Sequence, residues 1–196
     1  PTAAVGTKDF NQFDLLICRW RLRQVRRHVS PGDAILDFGC GHQAFFLRSV
    51  QGLVSRGVGI DYDAVDAKPA PNLEILGFHF KDRLPFADGT FDKIVLLAVI
   101  EHIPFDQRAV LLGEFRRVLR AGGQVILTTP TPASRPLLEF LAFRLKVISA
   151  PEIADHKHYY SRADLEALAL EHGFTCSDYQ KFQFGLNSLA AFTKPA

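Results

Sequence analysis

Two aspartates and two glycines stand at spacings that suit a nucleoside ligand. Asp37 ends an apolar run, Gly39 and Gly41 follow it directly, and Asp61 ends a second apolar run. Glycines let the backbone pass close to a ligand and bring helix amides near it. A carboxylate ahead of the glycines would repel a pyrophosphate and attract an amine or sulfonium cation. The acid on the second run can accept hydrogen bonds from both ribose hydroxyls, so the pattern favours a cationic nucleoside over a dinucleotide.

The elements that must position these residues alternate between strand and helix patterns. Short runs rich in branched residues span Ala34–Phe38 and Val58–Tyr62, and between them apolar residues recur at helical spacing up to Gly57. Strand, helix and strand within about thirty residues predict a βαβ unit with parallel strands. The run Phe91–Val99 is apolar nearly throughout, which is typical of a central strand buried on both faces.

The second half continues the alternation. We predict a helix over Asp106–Gly123, with Asp106 as its N-cap, and a helix over Ser161–Phe174 that opens with a capping box of Ser161 and Asp164 and stops at Gly173. Further strands are predicted over Gln124–Thr129, Thr175–Phe182 and Leu189–Thr193. The chain is therefore expected to form an open, doubly wound α/β sheet that binds ligands at the carboxyl ends of its strands.

Composition excludes several classes of protein. A chain of 196 residues with 47% hydrophobic residues suits a single domain over 1–196, and a net charge of +2 is too small to indicate nucleic-acid binding by itself. Cys18, Cys40 and Cys176 lack C-x-x-C spacing, which argues against disulfides and a structural zinc site and favours a reducing cytoplasm. No signal peptide is expected, and the longest apolar run, Ile94–Ile100, is too short for a membrane span.

Two segments leave alternatives open. Arg19–His28 holds five arginines and no acid, so it forms a solvated helix face or contacts an anionic substrate, a nucleic acid or a membrane surface. Leu137–Ser149 is apolar on almost every side, and an all-round apolar helix is normally buried. It could be buried in the core, over the active site as a lid, in the partner subunit of a homodimer, or at a membrane surface.

Five segments occur in the order seen in class I S-adenosylmethionine-dependent methyltransferases. They are AILDFGCGHQAF, GVGIDYD, LPFADGTFDKIVLLAVIEHIP, EFRRVLRAGGQVILTTP and HKHYYSRADLEALALEHGF. From about Ala34 to Phe174 they most resemble the bacterial small-molecule branch that includes the quinone-biosynthesis methyltransferases. The resemblance implies S-adenosyl-L-methionine as cofactor and a Rossmann-like, doubly wound, seven-stranded sheet whose last strand is antiparallel.

The resemblance also implies a role for each matching residue. Asp37, Gly39 and Gly41 would line the methionine and ribose part of the cofactor. Asp61 would bind the ribose hydroxyls, and Tyr62 would lie beside the adenine. The implied cofactor-binding residues are Asp37, Gly39, Cys40, Gly41, Asp61, Tyr62, Phe80, Lys81, Ala98 and Val99.

Two positions depart from the family pattern. Gln43 replaces a third glycine, so its side chain should narrow the cleft or offer an amide. Phe80 stands where an acid usually binds the adenine amine, so Phe80 or the neighbouring Lys81 and Asp82 must supply stacking or backbone contacts.

The substrate side is expected at the end of the central strand. There Ala98 and Val99 would lie under the cofactor, and Glu101 and His102 would open onto the acceptor. A hydroxyl acceptor needs a base, for which His102 is the first candidate and His158 the second. His158 belongs to a polar aromatic cluster with His156, Tyr159 and Tyr160. Alternatively, His102 caps a turn, and the cluster is an ordinary loop packed on the sheet.

We therefore predict a methyltransferase of small molecules that acts at oxygen, with residues 130–160 as a lid or substrate-binding insertion. The acceptor could be a sugar, a lipid or a quinone-like compound. One alternative is an RNA methyltransferase that uses the basic N-terminal helix, although the sequence has no added RNA-binding module. Another is a binding module that keeps the cofactor without turning it over.

Overall fold

The computed structural model describes residues 12–141, 154 and 157–196, with side chains from residue 19 onward, and it is built around one eight-stranded sheet. The strand order is β3-β4-β2-β1-β5-β6-β8-β7. The strands are β1 Ala34–Phe38, β2 Arg56–Asp61, β3 Ala67–Ala70, β4 Leu73–Gly77, β5 Phe91–Leu97, β6 Leu119–Pro130, β7 Thr175–Phe182 and β8 Asn187–Thr193. The helices are α1 Gln12–Arg26, α2 Phe45–Val50, α3 Phe105–Val118, α4 Arg135–Glu139 and α5 Arg162–Glu171, and a 3-10 turn spans Pro132–Ser134.

The sheet confirms the predicted doubly wound architecture. Strands β4, β2, β1, β5 and β6 run parallel, whereas β8 is antiparallel to both β6 and β7. The predicted antiparallel last strand is therefore present. The sheet has one strand more than the predicted seven. This additional strand, β3, pairs antiparallel with β4 at the sheet edge. Its sequence AKPA contains Pro69 and lacks the apolar alternation of a strand, which only an edge position tolerates.

Helices cover both faces of the sheet. On one face Val25 of α1 and Phe46 of α2 pack with Ile126 of β6, and all three are buried. On the other face Phe115 of α3 and Leu165 of α5 belong to the second core cluster. Strands that carry apolar side chains on both faces need this arrangement, because each face must be removed from water.

Two predicted helices are shorter in the structure. The helix after β1 spans only Phe45–Val50 of the longer helical pattern. The helix predicted over Asp106–Gly123 ends at Val118, and its N-cap is Pro104 rather than Asp106. The chain leaves the helix early because it joins β6: Gly122 donates its N–H to the Lys194 carbonyl (3.1 Å). The two pairing partners are far apart in sequence, so helical periodicity could not reveal the contact.

Helix α5 begins and ends as predicted. Ser161 accepts the Asp164 N–H through its hydroxyl (3.2 Å), and the Asp164 carboxylate accepts the Ser161 N–H (2.8 Å). At the other end Gly173 adopts a φ of 75°, and the Phe174 N–H returns to the Ala169 carbonyl (2.8 Å). These bonds satisfy backbone groups that a helix end leaves unpaired. They also fix where the preceding segment, residues 157–160, meets the sheet.

The predicted lid or insertion over residues 130–160 stays a prediction. Leu137 and Phe140 are exposed, but the remainder of the apolar segment, residues 142–149, and His156 lie outside the described residues. The same holds for a homodimer interface at Leu137–Ile148. Within the described chain, no helix is both long and apolar enough to cross a membrane.

The capping box gives a stability prediction. We expect Ser161→Ala to lower the free energy of unfolding by about 1 kcal/mol, since the Asp164 N–H loses its acceptor. Denaturant unfolding followed by circular dichroism measures the change. Ser30→Ala, which alters an exposed serine in the turn after α1, should change stability by less than about 0.5 kcal/mol. Equal losses in the two variants would contradict the role of the cap.

Candidate functional site

Polar atoms that are buried without a hydrogen bond gather at one edge of the sheet. They include Asp37 at the end of β1, both carboxylate oxygens of Glu101 after β5, and the hydroxyls of Thr128 and Thr129 near the end of β6. These strands are parallel, so their carboxyl ends lie at the same edge. Buried polar groups are normally paired, and unpaired ones in a native fold call for a ligand or another explanation. This edge is therefore the candidate site.

The glycine turn after β1 approaches the neighbouring loop more closely than a side chain would allow. Gly39 has a φ of 77°, and a Cβ atom built on it would lie 2.6 Å from a methyl carbon of Val99. Gly41 has a φ of 65° and faces open space. Both residues therefore need the left-handed conformation that glycine adopts at little cost. The open side at Gly41 leaves room for a ligand against the backbone.

Asp61 ties the end of β2 to that turn. Its Oδ2 accepts the Gly41 N–H (2.9 Å), and its Oδ1 accepts the Asp63 N–H (3.0 Å). Each carboxylate oxygen can accept a further hydrogen bond, so the side chain can bind two neighbouring hydroxyls while it holds the loop. The structure thus brings Asp61 and the glycines together, as the sequence predicted.

Asp37 is a buried acid at the end of β1. Its side chain is 1% exposed, and its Oδ1 makes no hydrogen bond with any residue that the structure describes. Burial, reinforced by the nearby negative charge of Asp61, raises the pKa of Asp37 to about 8. The free protein therefore holds a largely protonated acid at neutral pH. A cation beside it would favour the charged form and be bound in return.

Cys40 lies under the turn and is not a reactive thiol. Its sulfur donates to the Gly41 carbonyl (3.3 Å) and sits 2.7 Å from where a Cβ on Gly59 would be. Burial, and then the charges of Asp37 and Asp61, raise the pKa of the Cys40 thiol well above its usual range. A thiol of that kind packs and does not act as a nucleophile. Gly59 has to be glycine to admit it.

The residues predicted around an adenine lie at the rim. Tyr62 follows β2, is 60% exposed, and has its ring 6.3 Å from that of exposed His79. Phe80 is half-buried and packs edge-to-face against Phe38 at 6.0 Å, so it supports the core beside the turn. Lys81 is exposed. Their roles toward a ligand stay predictions.

The side chain of Gln43 does not fill the cleft. It is exposed, and its amide nitrogen lies 3.5 Å from the His42 ring. The backbone carbonyl of Gln43 accepts the Arg48 Nε–H (2.9 Å). The following residue, Ala44, takes the left-handed conformation instead, with a φ of 46°. The turn therefore keeps its shape without a third glycine, at the cost of strain at Ala44.

The loop after β5 forms the other wall. Ala98 has a φ of 57° and donates its N–H to the Thr128 carbonyl (2.9 Å), and Val99 contacts the glycine turn as described. A non-glycine residue in this conformation is strained, and such strain clusters at functional sites. The loop then turns, with the His102 N–H bonded to the Val99 carbonyl (3.0 Å).

Glu101 in this loop is buried completely, whereas His102 is half-buried. The Glu101 carboxylate makes no hydrogen bond of ordinary geometry within the described chain. Burial raises the pKa of the Glu101 carboxyl, although neighbouring groups that include His102 and Arg21 favour its charged form. The Glu101 carbonyl accepts the Lys157 N–H (2.8 Å), which brings the segment before α5 to the site. Glu101 was expected to open onto the acceptor, but its side chain is completely buried.

His158 is engaged with its own neighbours. Its Nε2 lies 3.7 Å from the Asp164 carboxylate, and its ring packs edge-to-face on Tyr160 (4.7 Å) and Phe105 (5.8 Å). These contacts hold it against the capping box of α5, beside the loop of Glu101. A catalytic role for His158 stays a prediction.

Sequence patterns missed several residues of the site. Thr129 ends the strand predicted over Gln124–Thr129, and nothing in that strand pattern marks its hydroxyl as part of a site. Arg108 is buried, and its guanidinium stacks 3.8 Å from the Phe105 ring centre. Tyr160, a member of the predicted polar aromatic cluster, is buried with its phenol oxygen unpaired in the described chain. The positive charge of Arg21, on α1, favours the charged form of the Glu101 carboxyl. Only the buried polar atoms of the folded chain reveal this group, since no local pattern links these positions.

Comparisons with known proteins agree on one family. A family model described as a methyltransferase domain matches residues 11–178. The demethylmenaquinone methyltransferase of Symbiobacterium thermophilum is 28% identical over 211 aligned positions, which cover 90% of this chain and 82% of that protein. The protein named "Probable tRNA methyltransferase 9B" from Bos taurus is 33% identical over 118 residues, which span 58% of this chain but a quarter of the relative's length.

The fold has solved counterparts. A methyltransferase of calicheamicin biosynthesis, solved in its S-adenosylhomocysteine-bound form, superposes with a TM-score of 0.68. The match covers 94% of this chain and 55% of that one, at 18% identity, so it establishes a shared fold alone.

The burial of Asp37 predicts a pH-dependent stability. Its pKa in the folded state lies above its unfolded value, so the folded state binds the extra proton and loses stability as pH rises from about 4 to about 8. We expect Asp37→Asn to remove this loss and to be the more stable protein at pH 8, by several degrees in Tm. Thermal unfolding between pH 5 and pH 8 measures how the Tm of the parent and of Asp37→Asn changes with pH. Parallel profiles for the two proteins would contradict the assignment.

Proposed function

The chain belongs to the class I S-adenosylmethionine-dependent methyltransferases, and from that membership we propose that it methylates a small-molecule acceptor at oxygen. The cofactor of this family is S-adenosyl-L-methionine. The observation that carries the proposal is the set of buried, unpaired polar groups at the carboxyl edge of the sheet: Asp37 on the cofactor side, and Glu101 and Thr129 near the acceptor side.

The residues present fit the cofactor. The unpaired Oδ1 of Asp37 offers a buried carboxyl group whose charged form a cationic ligand would favour, and the open side of Gly41 leaves space beside it. Asp61 retains acceptor capacity for the two ribose hydroxyls after bonding two backbone amides. Ala98 and Val99 supply an apolar floor at the end of β5. When bound, the cofactor supplies a methyl group on a positively charged sulfur.

The protein's contribution to such a transfer is positioning in a site shielded from water. Methyl transfer from a sulfonium requires the acceptor atom in line with the methyl group, and holding the two in place supplies much of the acceleration. The turn at Gly39 and the loop at Val99 are in close contact, which fixes the two walls relative to each other. Strain at Ala98 is consistent with a loop built for this purpose.

A hydroxyl acceptor must lose a proton, and the β5 loop carries two groups that could take it. His102 is half-buried, and Glu101, directly before it, is fully buried. We assign the base to His102, because a half-buried imidazole can meet an acceptor and pass the proton to water. Glu101 would stabilise the imidazolium that forms, as an adjacent carboxylate does.

The small-molecule class is supported by a relative that the chain matches over most of its length. The demethylmenaquinone methyltransferase aligns over most of both proteins, and its name places a quinone as its acceptor. The name gives the class of acceptor and not the atom that is methylated. For this chain we infer a small aromatic or lipid-like compound that carries a hydroxyl group. We also propose a cytoplasmic location, which is supported by cysteines spaced too irregularly for a disulfide framework.

An RNA methyltransferase is the second candidate. Arg19, Arg23, Arg26 and Arg27 are all exposed at α1, and a tRNA methyltransferase is among the relatives, although the match spans a quarter of it. This candidate requires RNA binding that weakens steeply with salt and is lost when these arginines are neutralised.

Asp61 provides the test of the cofactor site. We expect Asp61→Ala to weaken binding of S-adenosylmethionine by ~1–3 kcal/mol, because charge-assisted hydrogen bonds to the ribose are lost. Calorimetric titration gives the Kd, and circular dichroism verifies the fold. Asp63→Ala, which removes an exposed acid two residues away, should leave the Kd unchanged. An unaltered Kd in Asp61→Ala would show that the assignment is wrong.

His102 provides the test of the acceptor chemistry. We expect His102→Gln to lower kcat by about a hundredfold to ten-thousandfold with the cofactor Kd unchanged, since only the proton acceptor is lost. Transfer of a labelled methyl group to a panel of catechols and hydroquinones measures kcat, and mass spectrometry locates the methyl group. His172→Gln at the end of α5 is the matched control. A product methylated at carbon or nitrogen would refute the proposed oxygen chemistry.

A further inference from the structure

Helix α1 presents one strongly basic side to solvent. Arg19, Trp20, Arg23 and Arg26 are exposed, whereas Val25 is completely buried against the sheet. At 3.6 residues per turn, the four exposed positions fall within an arc of about 120°. In the described part of the chain, none of these arginines forms an ion pair with an acid; Arg26 donates to the Ser49 carbonyl at 3.5 Å.

An exposed aromatic ring stands beside this helix. Phe184, in the turn between β7 and β8, is 93% exposed, and its ring meets the Trp20 ring edge-to-face with centroids 5.9 Å apart. Trp20 is itself 40% exposed. We call Arg19, Trp20, Arg23, Arg26 and Phe184 the basic aromatic face. It combines positive charge with a protruding apolar pair.

The turn that carries Phe184 is strained and well anchored. Three successive residues, Gln183, Phe184 and Gly185, have φ values of 51°, 58° and 83°. The first two are not glycine, so this conformation costs free energy that the exposed ring does not recover within the chain. The turn is held by the Thr131 hydroxyl, which donates to the Gly185 carbonyl (2.8 Å). The fold thus keeps a phenylalanine in water, which is typical of an interaction surface.

The basic aromatic face lies next to the acceptor side of the site. Thr131 directly follows β6, whose end carries the unpaired Thr129 hydroxyl. On the other side, Arg21, the neighbour of Trp20, acts on buried Glu101. A partner seated on this face would therefore contact the protein beside the residues that we assign to the acceptor.

We propose that the basic aromatic face docks the protein on an anionic lipid bilayer. Arginines attract the negative headgroups, and a tryptophan and a phenylalanine insert their rings at the headgroup boundary, as peripheral anchors do. A nucleic acid would share the attraction to arginine. The protruding pair of Phe184 and Trp20 favours the bilayer, because apolar rings are stabilised at the headgroup boundary, whereas a phosphate backbone offers them no apolar contact. The proposal does not depend on the methyltransferase function, because docking needs neither cofactor nor acceptor.

Trp20 makes the test direct because it is the only tryptophan of the chain. Vesicles of phosphatidylcholine with a quarter phosphatidylglycerol are titrated into the cofactor-free protein. We expect a blue shift of Trp20 fluorescence and co-sedimentation with these vesicles, with neither effect for pure phosphatidylcholine. Added salt should weaken the binding, because the headgroup attraction is screened.

Two variants separate the contribution of the arginines from that of Phe184. Arg19→Gln/Arg23→Gln should lower the partition coefficient by about 25-fold, the product of a roughly fivefold effect for each charge. Phe184→Gly should weaken it at least about fivefold, and it also relieves the strained φ, so the fold is retained or gains stability. The matched control is Arg56→Gln/Lys68→Gln, which removes two positive charges near Glu74 and should bind as the parent does.

Several outcomes would overturn the proposal. One is a parent protein that fails to bind anionic vesicles. Another is an arginine double variant that binds as well as the Arg56→Gln/Lys68→Gln control. A third is salt-dependent binding of RNA without binding of vesicles, which would assign the arginines to a nucleic acid.

Discussion

The placement of Asp37 beside Asp61, at the carboxyl ends of two adjacent parallel strands, is the constraint on which the site depends. Strands β1 and β2 pair in register, with Asp37 opposite Gly59, two residues before Asp61. The Asp61 carboxylate accepts a backbone N–H of the glycine turn, whereas Asp37 is buried with one oxygen unpaired in the described chain. The fold therefore carries an acid that is held protonated by burial and by a neighbouring charge. A cationic ligand relieves that arrangement, and no residue of the described chain does so.

Other buried polar groups without hydrogen bonds lie along the same edge of the sheet. Glu101, Thr129 and Tyr160 are buried polar groups whose side chains make no hydrogen bond of ordinary geometry within the described residues, although His102, Arg21 and Thr129 favour the charged form of Glu101. Each lowers the stability of the free protein, because a buried polar atom without a hydrogen bond has lost its contact with water. They belong to different elements, which the sheet brings to one place. Stability is thus reduced at the edge that meets ligands, while the two faces of the sheet remain fully packed.

Much of the fold followed from the sequence because its signals are local. The apolar run Ala34–Phe38 became β1 with the predicted bounds, and the capping box of Ser161 opened α5. The errors arose where distant contacts decide the structure. Leu119–Gly123 left its helical pattern because Leu119 pairs with Phe91 of β5, and Gly122 and Gly123 bond to Lys194 directly after β8. Strand β3 formed at an edge, where Pro69 and the lack of apolar alternation gave no sign of a strand. The spacing of Asp37, the glycines and Asp61 predicted that these residues lie close together, because one βαβ unit carries them all. The burial of Glu101 was not predictable, since it depends on how the β5 loop packs against the segment before α5. Arg108 stacks on Phe105 at a spacing of three residues on α3, which is local, but this spacing does not reveal that Arg108 is buried.

Proton release on cofactor binding tests the central claim most directly, namely that Asp37 receives the positive charge of the cofactor. Titrations of S-adenosylmethionine at pH 7 in buffers of different ionisation enthalpy count the protons released. Because burial holds Asp37 protonated in the free protein, the account predicts that binding releases a proton, and that Asp37→Asn abolishes that release. Binding whose heat is independent of the buffer, or no binding by the folded protein, would contradict it.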